Sequence, residues 1–241
     1  MTNKKSLLTR IASKKNLKNL ALTGLLALFV DRLAVPIVSY FYCAQGIRNE
    51  AIQESMETGG YLFEYCGEGE ETALEYLKLA HAVTTKYISI GATRFNFSDS
   101  EFLESRLGDC SETSRFTYSN FIYLANSAKK PDLLNYVRLA SGTVSSHSGG
   151  GGHMWIEILK DGVWIPYETT ARDLKEGVKI NPATIDDLIP DSLVLNDKGL
   201  RYHHMTSYQV DKDGNLNKTI DLDRIIESEG FFRLAYKNIF N

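Results

Sequence analysis

The stretch "SHSGGGGHMWIEILKDGVWIPYETT", residues 146–170, decides the fold. Asp161-Gly162 stands between two alternating apolar runs, the pair of residues favoured by a two-residue type I′ hairpin. That turn pairs Lys160 with Val163, and counting outward sets His153 opposite Thr170 and Trp155 opposite Glu168. His153 and Glu168 then share one face as diagonal neighbours, about 7 to 8 Å apart at the backbone and within reach of a long carboxylate. Met154, Ile156, Ile158, Ile165 and Tyr167 take the other face and supply core. A slip of one residue would separate the His from the Glu, so the register carries the reading. The four glycines before His153 read as a loop, placed to form a lip beside it.

Upstream of the hairpin the period is helical. "TALEYLKLAHAVTTKYISI", residues 72–90, carries Leu74, Leu77, Val83, Tyr87 and Ile88 near helical spacing. Ser98-Asp99-Ser100-Glu101 reads as a capping box that opens a short helix. In "GDCSETSRFTYSNFIYLA", residues 108–125, Asp109 is placed as an N-cap with Glu112 as its capping-box partner, so Cys110 begins a helix. Phe116, Tyr118, Phe121, Ile122, Leu124 and Ala125 make that helix apolar on most sides, as a centrally buried helix requires.

From there the period becomes two: residues 136–144, 153–159, 163–170 and 202–210 alternate or run apolar. Helices followed by an antiparallel sheet predict an α+β domain. The tail after residue 221 reads as a terminal helix or two. Asp211, Asp213 and Gly214 read as a hairpin turn, since the glycine comes too early for an EF-hand loop.

Composition bounds the function. With 241 residues, 43% hydrophobic and 24% charged, the chain fits one main globular domain plus an appendage. The net charge of -3 gives no case for nucleic acid as a partner. Cys43, Cys66 and Cys110 are too few and scattered for a disulfide framework and form no CxxC pair, so they read as free thiols of a reducing compartment, the cytoplasm. Residues 1–45 form a separate extension. Lys4, Lys5, Arg10, Lys14, Lys15 and Lys18 precede its first acidic residue, Asp31, and two apolar runs broken by Asp31, Arg32 and Pro36 follow. Two central charges cost about 2.5 to 3.5 kcal/mol each in a membrane, so a packed helical extension is the reading and a membrane anchor the alternative. The basic arm suits contact with anionic lipid.

A His oriented by a carboxylate is half of a nucleophilic constellation; the other half is an activated thiol or hydroxyl. Cys110 fits, because the unpaired N–H groups and dipole of a helix N-terminus favour a thiolate. The first amides of that helix, Cys110 included, suit an oxyanion hole.

"RLGDCSETS", "GHMWIEI" and "WIPYETT" together resemble the three signature blocks of the transglutaminase-like superfamily of papain-like fold. Those blocks are a Gly-x-Cys helix start, a His-x-Trp strand and a Trp-x-x-x-Asp-x-Thr strand. The resemblance spans residues 72–170 within a domain of residues 46–241. It implies a central nucleophile helix packed on an antiparallel sheet, with Cys110 as nucleophile, His153 as general base and acid, and Glu168 as the orienting carboxylate. Glu168 departs from the family's usual Asp by one methylene, so the imidazole must sit differently to meet it; triads elsewhere use either acid. Trp155, Asn96 and Tyr87 are candidate substrate or oxyanion contacts.

Taken singly, each of these residues has a plainer reading. Cys43 and Cys66 read as small buried hydrophobes. His81, His147, His203 and His204 read as structural or solvent-facing, and the His203-His204 pair has no further ligand at metal spacing. The implied function is cleavage or transfer of peptide or amide acyl groups through a Cys110 thioester, by a protease or amidase acting on a protein or peptide without cofactor or metal. The alternatives are a crosslinking transglutaminase and a non-catalytic binding module on the same fold.

Overall fold

The computed structural model describes residues 67–91, 104–146, 149–170, 185–195 and 200–220. Residues 1–45, Ser98 with its expected capping box, Asn96, Cys43, Cys66, His147 and the tail expected to be helical lie outside the described residues. Among the described residues no helix is long and apolar enough to cross a membrane.

Helix α1 spans Gly69–Tyr87, with Glu70 and Glu71 in its first turn and Lys86 in its last, the signs that complement the helix dipole. Two short parallel strands, β1 (Ser89–Ile90) and β2 (Leu107–Gly108), then lead the chain to the next helix. Helix α2 spans Cys110–Ser127 and opens on the expected capping box, in which Ser111 N–H donates to Asp109 Oδ1 at 2.7 Å and Asp109 N–H to Glu112 Oε2 at 2.9 Å. It ends where Lys129 takes a left-handed conformation (φ 57°) and Pro131 forbids a further turn. A 3-10 helix, Pro131–Tyr136, hands the chain to the sheet.

The sheet contains β3 (Val137–Ser146), β4 (Gly149–Lys160), β5 (Val163–Tyr167), β6 (Arg201–Val210) and β7 (Leu216–Ile220), in the order β5-β4-β3-β6-β7. All neighbours are antiparallel, and helices precede the sheet, so the domain is α+β. Short helices α3 (Ile185–Leu188) and α4 (Asp191–Val194) lie between β5 and β6 in the chain.

The β4–β5 turn is the one the sequence predicts. Asp161 (φ 52°) and Gly162 (φ 75°) both sit at positive φ, and Lys160 pairs with Val163. The ladder stops sooner than expected, at Ile156↔Tyr167, because β5 leaves β4 there: Tyr167 bridges to Leu195, and Glu168 N–H donates to Val194 O at 2.7 Å. Thr170 and Glu168 therefore do not pair with His153 and Trp155 as the counting had it. The glycines correct the sequence reading too. They form no loop; β4 begins at Gly149, and Gly149 to Gly152 pair with Ser146 to Thr143.

One face of the sheet packs on α1 and α2. Met154, Ile156, Ile158, Val137, Leu139, Tyr208 and Tyr167 join Leu77, Ala80, Tyr118 and Phe121 of the helices in one buried cluster. Because side chains alternate along a strand, His153, Trp155 and Glu157 fall on the opposite face.

Candidate active site

Three separate elements converge on the site. Cys110 is the first residue of α2, His153 lies within β4, and Glu168 follows β5 directly. Cys110 is a free, half-buried cysteine. His153 Nε2–H donates to Glu168 Oε2 at 2.8 Å, and the Cys110 thiol lies near enough to the imidazole to raise its affinity for a proton. With Nε2 committed to Glu168, Nδ1 is the nitrogen left to exchange a proton with the thiol.

The electrostatics follow from that arrangement. Burial disfavours a charged imidazole, yet the hydrogen bonds and charges of Cys110 and Glu168 outweigh it and push His153 up to about 10. Burial likewise works against the Glu168 carboxylate, but His153 and the Thr170 donors hold it down at about 2. The pair is thus an imidazolium and a carboxylate over the whole neutral range.

Glu168 is anchored at both oxygens. Thr170 N–H and Oγ1–H donate to Oε1 at 2.9 and 2.6 Å, while Tyr202 Oη–H donates to Oε2 at 3.0 Å. The His153 ring stacks on Trp155 at 6.0 Å. A single hydroxyl ties the converging segments together: Ser114, one turn beyond Cys110, donates to the carbonyl of Met154 at 3.0 Å and hydrogen-bonds Thr169 Oγ1 at 2.7 Å. It therefore fixes α2 against the neighbours of both His153 and Glu168.

At the N-terminus of α2 the amides are largely spoken for. Asp109, Ser111, Glu112 and Thr113 N–H groups all serve the capping box or the first helical bond. The N–H of Cys110 remains, pointed from the positive end of the helix, where a developing oxyanion is best stabilised.

The other candidates fall elsewhere. Trp155 is fully buried and its indole N–H donates to Glu157 Oε1 at 3.2 Å, so it supports the His153 ring and offers no donor to a substrate. Tyr87 is buried with its ring stacked on Phe116 at 5.3 Å and the Arg106 guanidinium over it, a packing position. Asn96 lies outside the described residues. Among the histidines, His81 is buried and shares a hydrogen bond with Tyr167, His203 with Ser145, and His204 sits 3.7 Å from Glu157. Among the described residues no three His, Cys, Asp or Glu side chains group as metal ligands.

Tyr202 and Ser114 are the site residues that sequence patterns miss. Ser114 closes the block of residues 106–114 with no role assigned to it, Tyr202 lies in no motif, and both reach the site through pairing between distant segments. No known protein family, curated protein or solved structure matches the chain.

Proposed function

We propose that the protein is a cysteine enzyme of the transglutaminase-like, papain-like type that cleaves peptide or amide bonds through an acyl-enzyme on Cys110. The observation that carries this reading is His153, hydrogen-bonded to Glu168 at 2.8 Å and standing close enough to Cys110 for the thiol to raise its affinity for a proton, with the three residues drawn from a helix start, a strand and the residue after a strand. A binding scaffold has no use for a thiol, an imidazolium and a buried carboxylate in line.

The chemistry follows from proton positions. His153 holds the proton that the Cys110 thiol gives up, and the thiolate attacks the amide carbonyl, whose oxygen turns toward the Cys110 N–H. Collapse of the tetrahedral adduct breaks the C–N bond, and His153 gives its proton to the leaving amine. A water molecule then yields a proton to the neutral imidazole and attacks the thioester, releasing the carboxylic acid and restoring the thiol. Glu168 keeps the ring oriented and the imidazolium stabilised throughout. Water is the favoured acceptor, because the family resembled includes many microbial members that look like proteases; a lysine amine in its place would make the product an isopeptide.

Iodoacetamide labelling of Cys110 against pH, located by mass spectrometry, tests the reading without knowledge of the substrate. Fast labelling at pH 6 that slows at least tenfold in His153→Ala supports an activated thiol. Labelling that rises only near pH 8.5, and equally in His153→Ala, would leave no activated nucleophile and sink the proposal.

A further inference from the structure

Strand β6 runs beside β3 with a break in its register. Ser141 pairs with Thr206 but Gly142 pairs with His204, so Met205 has no partner in the ladder. An unbroken ladder would turn His203 to the face that carries His153, because side chains alternate. The extra residue reverses that alternation, as bulges beside functional sites do, and turns His204 and Tyr202 there instead. The Tyr202 ring lies edge-on to Trp155 at 5.1 Å and tilted to His153 at 6.1 Å. Its hydroxyl reaches Glu168 Oε2, the same oxygen that accepts from His153 Nε2.

We infer that Tyr202 is a positioning residue of the Cys110–His153–Glu168 site, whose hydroxyl fixes the plane of a carboxylate one methylene longer than aspartate. This inference rests on the triad reading above. A glutamate has one more rotatable bond to hold than an aspartate, and that freedom must be removed for His153 to meet a fixed acceptor. Thr170 grips Oε1 twice, which leaves the carboxylate free to pivot about that oxygen. A donor on Oε2 from a different strand stops the pivot. His204, turned to the same face by the same bulge, lies against Glu157, so Tyr202 alone of the two serves Glu168.

Tyr202→Phe keeps the ring against Trp155 and deletes only the oxygen. Iodoacetamide labelling of Cys110 at pH 6 is expected to slow about tenfold, the value of one hydrogen bond to a charged group, with the pH profile moved upward and the melting transition unchanged. In a Glu168→Asp background the same change is expected to alter the rate less than twofold, because the shorter carboxylate is withdrawn from the hydroxyl. A wild-type rate and profile in Tyr202→Phe overturns the inference, as does an equal loss in both backgrounds, which would make Tyr202 a packing residue. Wild-type protein labelled no faster than a free cysteine overturns the triad reading itself, an outcome distinct from these. A measurement on the unaltered protein stands beside the variants: the Tyr202 hydroxyl proton should resist exchange and show a nuclear Overhauser contact to the His153 Nε2 proton. Rapid exchange with water overturns the inference.

Discussion

At the scale of single residues, the His153–Glu168 pair ties stability to pH in a definite way. His153 is raised from 6.5 to about 10, so the stability it adds is full below about 6.5 and is lost as pH rises through about 10. Glu168 is lowered from 4.5 to about 2, so its contribution is full above about 4.5 and is lost as pH falls through about 2. The two overlap fully only between 4.5 and 6.5. Side chains 13% and 9% exposed leave the charges little water to fall back on, so Glu168→Gln should destabilise by about 2 kcal/mol at pH 5.5. That is less than the roughly 3 to 5 kcal/mol of a wholly uncompensated buried charge, since the Gln oxygen still accepts from His153. Urea titrations of both proteins across pH 3 to 10 check the prediction. The gap between them should be widest near pH 5.5 and narrow on either side; a constant gap would mean that the pair is not charged.

At the scale of elements, the site depends on how α2 sits against the sheet, and Ser114 is a polar contact beside the site that helps to set it. Its side chain is fully buried, and Ser114→Ala would take one donor from the Met154 carbonyl and the partner from the Thr169 hydroxyl. The expected loss is about 1 to 2 kcal/mol in denaturant unfolding, together with slower Cys110 labelling. Ser114→Ala and Thr169→Val should be strongly non-additive; additive losses would show that the bond between them contributes nothing. This contact also marks the limit of what the sequence discloses. Cys110 and His153 are legible because local rules place them: a capping box starts α2 at the cysteine, and an Asp-Gly turn sets the β4–β5 register that leaves His153 off the core face. Glu168 meets His153 although the ladder ends one residue before it. Ser114 and Tyr202 are not legible, since one depends on the approach of a helix to a strand and the other on a bulge whose cause is not local. The strand through Gly149 to Gly152 escapes for a different reason. Glycine has little strand preference of its own, and β3 supplies the ladder partner that overrides it.

At the scale of the whole molecule, a buried lysine far from the thiol helps to hold the carboxylate. Lys78 of α1 is 3% exposed, pairs with Asp186 of α3 and lies 2.7 Å from Asp191 of α4. Three residues beyond Asp191, the carbonyl of Val194 accepts the Glu168 N–H. The ion pairs thus clamp α4 to α1, and α4 in turn holds the backbone of Glu168. Two opposing magnitudes decide what Lys78→Met does. Breaking a fully buried pair costs about 3 to 5 kcal/mol, whereas exposed pairs are worth about 0 to 1. Asp186 and Asp191 are 72% and 48% exposed and regain water once the lysine is gone, so the global cost should be near 1 kcal/mol. The local effect should be larger in proportion, because only one short helix is released. Hydrogen exchange at the Glu168 amide is expected to quicken several-fold in Lys78→Met while amides in the middle of α2 keep their protection. Unchanged protection at Glu168 would mean that packing of Ile185, Leu188 and Val194 holds α3 and α4 without the clamp.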